Sequence, residues 1–179
     1  MRLLRAAWLV VLATLAAPAA AEVKDATAAG FTVENVRTVA VDPQTTWNAL
    51  VGDIDRWWPK DHSWWGSASK LSIDPRSGGC FCEDAGAQQA QHMQVSFVDP
   101  GRLLRMRGGL GPLQGMGLDG TLEFRLAPEG GGTRITLRYR VGGYAPDDLS
   151  KLAPVVDKVQ ALQLAGLADF LATARAAEE

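Results

Sequence analysis

The chain has 179 residues, two cysteines, and eighteen basic against twenty acidic side chains, for a formal charge of −2. That length carries one domain with its own core and needs no disulfide framework of the kind small secreted domains use. The mildly acidic balance argues against a nucleic-acid partner.

The N-terminal run MRLLRAAWLVVLATLAAPAAAEV sets Arg2 and Arg5 before an apolar stretch from Ala6 to Ala16 and ends in Ala19-Ala20-Ala21. This is the pattern of a secretory signal cut after Ala21. The apolar stretch is well short of the ~20 residues that span a bilayer, and no cysteine follows it for lipid attachment. Residues 1–21 therefore read as a signal peptide and 22–179 as a single domain, periplasmic or secreted, with no stable membrane anchor. Loss of the two leader arginines takes the formal charge to −4.

Phe31 to Val41 alternates as a first strand, and Asp42-Pro43 opens a helix through Val51, with Asp42 as its cap. Asp53 to Trp58 adds a helical turn before Pro59. RWWPKDHSWWG, Arg56 to Gly66, then gathers Trp57, Trp58, Trp64 and Trp65 around His62. Tandem tryptophans cannot all point inward. Either one of each pair is core and the other covers it, or the segment is an aromatic mouth for a flat apolar ligand.

Strand patterns follow at Lys70–Asp74, Cys80–Asp84, His92–Val98, Arg102–Arg107, Leu118–Leu126 and Thr133–Val141, separated by glycine- and proline-rich turns. A hairpin turning near Ala87 and Gln88 places Cys82 opposite Met93 and Cys80 opposite Val95, with His92 beside Glu83 on the other face. A one-residue slip reverses these faces. Cys80 and Cys82, in GGCFCE, stand at i and i+2, where a regular strand sets alpha carbons about 6.6 Å apart with parallel side chains. A disulfide there requires a bulge, and a zinc clamp with His62 and His92 lacks tight C-x-x-C spacing. Two unbonded cysteines lining an inner wall is the reading that parity with Met93 and Val95 favours.

In the last two strands Leu118, Leu122, Phe124 and Leu126, then Ile135, Leu137, Tyr139 and Val141, define one apolar face. Arginines interleaved with Glu123 and Asp119 form a solvated opposite face. The loop LGPLQGMG carries Leu110, Leu113 and Met116, which either pack on a helix end or close over something. It lacks the Lys-Ser/Thr ending of a phosphate-cradling loop. Asp147 to Ala177 is the one long helical pattern, with Asp147 or Asp148 as cap. The expected fold is α+β: a curved antiparallel sheet of about six or seven strands wrapped around a long C-terminal helix, short helices after the first strand, and a cavity where one helix cannot fill the space.

This helix-grip order, with the runs WNALVGDIDRWWP, LSIDPRSGGCFCE and DGTLEFRLAPEGGGTRITLRY, resembles the START-like or SRPBCC superfamily over Phe31 to Leu171. Its bacterial branch named for the activator of the heat-shock-protein-90 ATPase is the most similar. The resemblance implies a START-like ligand-binding domain and leaves function open among lipid carriers, hormone receptors, polyketide cyclases and pollen allergens. An exported copy does not meet a cytosolic chaperone, so co-chaperone work is set aside.

The expected function is a carrier for a small hydrophobic molecule, aromatic or lipid-like, with no cofactor and no metal. Trp58, Trp65, His62, Cys80, Cys82, Met106, Leu113, Phe124, Tyr139 and Gln163 are its candidate ligand contacts. The alternatives are a cyclase, isomerase or hydrolase using His62 or His92 as acid or base, and a cysteine–histidine metal or redox site. No nucleophile–base–orienter pattern is visible, which favours binding. Nothing in the sequence identifies a protein partner.

Overall fold

The computed structural model describes residues 21–177, so the signal-peptide reading of residues 1–21 lies outside the described residues except for Ala21 itself. Eight strands form one antiparallel sheet: β1 (Ala21–Thr27), β2 (Gly30–Val39), β3 (Lys70–Ile73), β4 (Cys80–Ala85), β5 (Gln88–Asp99), β6 (Leu103–Arg107), β7 (Asp119–Glu129) and β8 (Gly132–Gly142). Their spatial order is β1-β2-β8-β7-β6-β5-β4-β3. Strands β3 to β8 meander back across the sheet until β8 pairs with β2, Phe31 opposite Val141 and Val39 opposite Thr133.

The sheet has one strand more than the sequence pattern predicts at its upper bound. AEVKDAT pairs with β2 through the tight connection at Ala28-Ala29, but a bulge between Val23 and Asp25 breaks its alternation. That break removes the period-two signal by which a short edge strand is recognised.

Between β2 and β3 the chain crosses to the far edge through α1 (Pro43–Gly52) and α2 (Ile54–Trp57), followed by single turns at Lys60–His62 and Gly66–Ala68. Asp42 caps α1 by accepting from the Gln44 and Thr45 amides at 2.8 and 3.1 Å, with Pro43 in the first turn. The loop after β6 contains a short helix, α3 (Pro112–Gly115). The C-terminal helix, α4 (Ala153–Ala176), starts later than the sequence pattern implies. Asp148 caps a separate turn, Leu149–Lys151, by accepting from the Ser150 amide at 2.9 Å.

Alternation in β7 and β8 sorts the faces as the sequence indicates. Leu118, Leu122, Phe124, Leu126, Ile135, Leu137, Tyr139 and Val141 are buried, and Leu164, Leu167 and Leu171 of α4 belong to the same core. On the outer face Glu123 sits between Arg105 at 2.5 Å and Arg125 at 2.7 Å, while Arg107 meets Asp119 at 3.2 Å. These arginines are committed to ion pairs across a wet surface.

The β4–β5 register differs from the expected one. Phe81 lies opposite Met93 and Cys80 opposite Gln94, and the pairing then shifts so that Cys82 meets Gln91. Phe81 and Glu83 consequently face the core, while Cys80 and Cys82 lie half-buried on the outer face. The two cysteines are joined as a disulfide with alpha carbons 5.5 Å apart. This corrects both the inward, cavity-lining placement of Cys80 and Cys82 and their unbonded state. The irregular pairing brings the alpha carbons inside the span of a bridge.

Helix α4 approaches the backbone of α2 at Gly166, where an added Cβ would overlap the Trp57 carbonyl oxygen. Alanine is the better helix former, but here its methyl group meets backbone that cannot rotate away. Gly166→Ala is expected to lower stability by about 1–3 kcal/mol, read as a reduced melting temperature; a melting temperature equal to or above that of the wild type would contradict this packing.

Candidate functional site

A cavity of about 390 Å3 opens at one end of the space between sheet and α4. One lip is Trp58 with the segment Asp61 to Trp64; the other is the β6–β7 loop through Leu110, Leu113 and Met116. Helix α4 contributes Leu152, Val155, Val156 and Val159, then Gln160 and Gln163, while His92 and Tyr139 come from the sheet. A second cleft of about 350 Å3, between the ends of β2 and α4, is lined by Ala40, Ala168 and Ala172 and has no buried polar side chain.

The tryptophans divide their labour. Trp57 and Trp58 are both buried, at 4 % exposure each. Trp57 donates from Nε1 to the Ala49 carbonyl at 3.0 Å and packs edge-on to Phe124, so it belongs to the core. Trp58 stacks edge-on against Phe81 with centroids 5.1 Å apart, and its Nε1 donates to the His62 carbonyl at 3.1 Å. It is core on one side and cavity wall on the other. Trp64, half exposed, reaches the mouth, whereas Trp65 does not line the cavity.

Glu83 holds the first lip. Its side chain is inaccessible to solvent, and its two carboxylate oxygens accept from the backbone amides of Trp64 and Trp65, each at 3.1 Å. His92 Nε2 stands 2.8 Å away. The Ser69 hydroxyl donates to the Gly66 carbonyl at 3.0 Å and lies close enough to the carboxylate to favour its charged form. Burial pushes the carboxyl up, but the donors from Ser69, Trp64, Trp65 and His92 outweigh it and hold Glu83 below its ordinary value. Asp55 anchors the same segment, bonding Lys60 Nζ at 2.6 Å and the Leu71 amide at 2.8 Å.

Tyr139 holds the second lip. Its hydroxyl donates to the Gly108 carbonyl and accepts from the Leu110 amide, both at 2.9 Å. Burial pushes its pKa up to about 12, against the Leu110 hydrogen bond and with help from the Asp119 charge. The phenol is therefore neutral, with its proton already committed. Gly120 makes room for the ring, since a Cβ there would stand 2.6 Å from Tyr139 Cε2.

Of the residues singled out from sequence, Trp58, His62, His92, Leu113, Tyr139 and Gln163 come together around the cavity. Met106 and Phe124 are fully buried core beneath it, and Trp65, Cys80 and Cys82 lie elsewhere. A zinc clamp is not assembled, because the cysteines are bonded to each other on the outer face while both histidines line the cavity. Among the described residues no group of three or more His, Cys, Asp or Glu is placed to hold a metal. Sequence reasoning missed Glu83 and Gln160 as site residues. The available signals were Glu83 sharing strand parity with Phe81 and Gln160 sharing the helical stripe of Gln163 and Leu167.

The family model described as polyketide cyclase / dehydrase and lipid transport matches residues 30–172. The chain belongs to this family. Among solved structures it is similar to CalU16 from Micromonospora echinospora, with 17% identity over 85% of this chain and 86% of that one, at a TM-score of 0.57. A protein from Mesorhizobium loti shares 21% identity over 79% of this chain and 97% of its own, also at 0.57. One from Rhizobium leguminosarum shares 18% over 88% and 99%, again at 0.57. These likenesses establish the fold. No curated protein matches the sequence.

Because Glu83 titrates lower in the folded chain, the stability it lends is fully present above its ordinary value of 4.5 and is lost as pH falls through the lower folded value. Tryptophan fluorescence is expected to report release of the Trp64–Trp65 segment on that acid side. Glu83→Gln is expected to flatten the acid transition and lower neutral-pH stability, and Glu83→Ala, which strands His92 and two amides, to cost about 1–3 kcal/mol for each donor left buried. An unchanged acid transition in Glu83→Gln would exclude this carboxylate as its source.

Proposed function

We propose that this protein is an exported carrier that holds a small hydrophobic molecule, aromatic or lipid-like, between sheet and C-terminal helix. The observation that carries the reading is the cavity itself: about 390 Å3, walled by valines, leucines and Trp58, with a few polar groups from Tyr139, His62 and the two glutamines. Pockets for small ligands share that size, roughly 300–1,000 Å3, and that mixture of apolar wall and sparse polar groups. Family membership supports it, as the family includes lipid transport. Among the described residues no helix is long and apolar enough to cross a membrane.

Binding is expected to quench Trp58 fluorescence and to stabilise the fold by about 2.7 kcal/mol at a hundredfold excess of ligand over Kd. Val159→Trp should fill the cavity and remove both effects without unfolding the chain. A panel of aromatic and acyl ligands that neither quenches nor stabilises the wild type would sink the carrier reading. Export rests on the leader pattern, and cleavage after Ala21 would leave Glu22 at the head of β1. N-terminal sequencing of material from the bacterial envelope should begin at Glu22; an intact Met1 would refute it.

A second reading, acid–base catalysis, is favoured by one contact. The Glu83 carboxylate accepts from His92 Nε2 and so orients a cavity-lining imidazole, as a general acid or base requires. On that reading a bound ligand is recovered chemically altered, and His92→Phe recovers it unchanged. Unaltered ligand from the wild type decides for the carrier.

A further inference from the structure

Helix α4 presents the cavity with an amide oxygen that nothing satisfies. Gln160 and Gln163 line the cavity and are 1 % and 3 % exposed. Gln160 Nε2 donates one of its two N–H groups to Gln163 Oε1 at 2.9 Å, which orients the amide. Gln160 Oε1 is left buried without a hydrogen-bond partner. Buried acceptors in native proteins are nearly always paired, and an orphan costs about 1–3 kcal/mol.

The Gln163 amide nitrogen makes no hydrogen bond to this oxygen, and other donors nearby are committed elsewhere. The Tyr139 hydroxyl proton goes to Gly108, His92 Nε2 to Glu83, and the Asn35 amide to Asp157. An occupant of the cavity can supply the missing donor. The last torsion of the terminal amide is soft, so Oε1 can turn to meet that occupant. A second polar atom, His62 Nδ1 on another wall, is also buried and unpartnered.

The charges around the cavity point the same way. Asp61 lines it and Glu83 stands directly behind His92, while no lysine or arginine is among the described lining residues. A carboxylate brought into this space would lose its hydration against acceptor oxygens, with no lysine or arginine to replace it.

We propose that Gln160 sets the specificity of the cavity: its Oε1 accepts the O–H of a neutral, hydroxyl-bearing hydrophobic ligand, an alcohol or phenol, and the site rejects the carboxylate of the same skeleton. This rests on the carrier reading above and sharpens it. Free fatty acids, the commonest hydrophobic anions, are thereby excluded as the preferred cargo.

Four probes on one skeleton test it by calorimetry: naphthalene, naphthol, the methyl ether of naphthol, and naphthoate. The wild type is expected to bind naphthol about tenfold tighter than naphthalene or the ether, and naphthoate weakest of all. Gln160→Leu, which keeps the bulk and removes the acceptor, should lose the preference for naphthol while still binding naphthalene. Equal binding of naphthol and naphthalene, or a preference that survives in Gln160→Leu, overturns the proposal and leaves the carrier reading standing. An ether that binds as tightly as naphthol also overturns it, since the amide would then be donating. Failure of all four probes to bind removes the carrier reading as well. The wild-type comparison stands by itself should the variant not fold.

Discussion

An eight-stranded sheet with one apolar face is too wide for the helix that covers it. Strands set about 4.8 Å apart make a surface some three times broader than the roughly 10 Å of a helix. Helix α4 lies chiefly along β2 and β1, and α1 and α2 fill the space over β7 and β3. The end left over can be closed only by loops, namely the tryptophan segment on one side and the β6–β7 connection on the other. The cavity is therefore a consequence of the architecture, and its properties depend on how those two loops are held.

Each loop is held by one polar side chain that reaches from the sheet to loop backbone. Glu83 binds the Trp64 and Trp65 amides, and Tyr139 bridges the Gly108 carbonyl and the Leu110 amide. Both groups are buried, so each would be costly without its partners, and the loops supply those partners. The dependence runs both ways, because a loop that leaves strands the group beneath it. Helix α4 breaks this pattern of mutual satisfaction. Its Gln160 is as buried as Glu83, yet half of its amide is unmet.

The disulfide and the His92 bulge belong to a single irregularity in β4–β5. Regular pairing would have alternated all the way along the hairpin and left His92 on the outer face. The shift between Phe81 and Cys82 turns His92 inward, within 2.8 Å of Glu83 and against the Phe81 ring at 5.0 Å. It also draws Cys80 and Cys82 close enough to bond outside. The expected hairpin rests on parity with Met93 and Val95, which a register shift breaks, and no local pattern signals that a lone glutamate will be buried. Its donors come from a segment nearly twenty residues earlier in the chain.

Most of the elements, and the faces of the last two strands, are legible in local pattern. Alternation in Leu118–Leu126 and Ile135–Val141, the stripe on α4 and the Asp42-Pro43 cap are local patterns, written at periods of two or 3.6 residues and legible wherever they run unbroken. They also sufficed to expect a cavity under the helix and to bring Trp58, His62, Leu113, Tyr139 and Gln163 to it. Tertiary structure alone decided where the pattern breaks, as in β1 and at His92, and which buried polar atoms are satisfied. Periodicity says that a side chain points inward. Whether its hydrogen bonds are met depends on backbone groups brought up from distant parts of the chain, as Gly108 is for Tyr139 and Trp64 for Glu83. For Gln160 no such group arrives, and that could be seen only once every other donor had been placed.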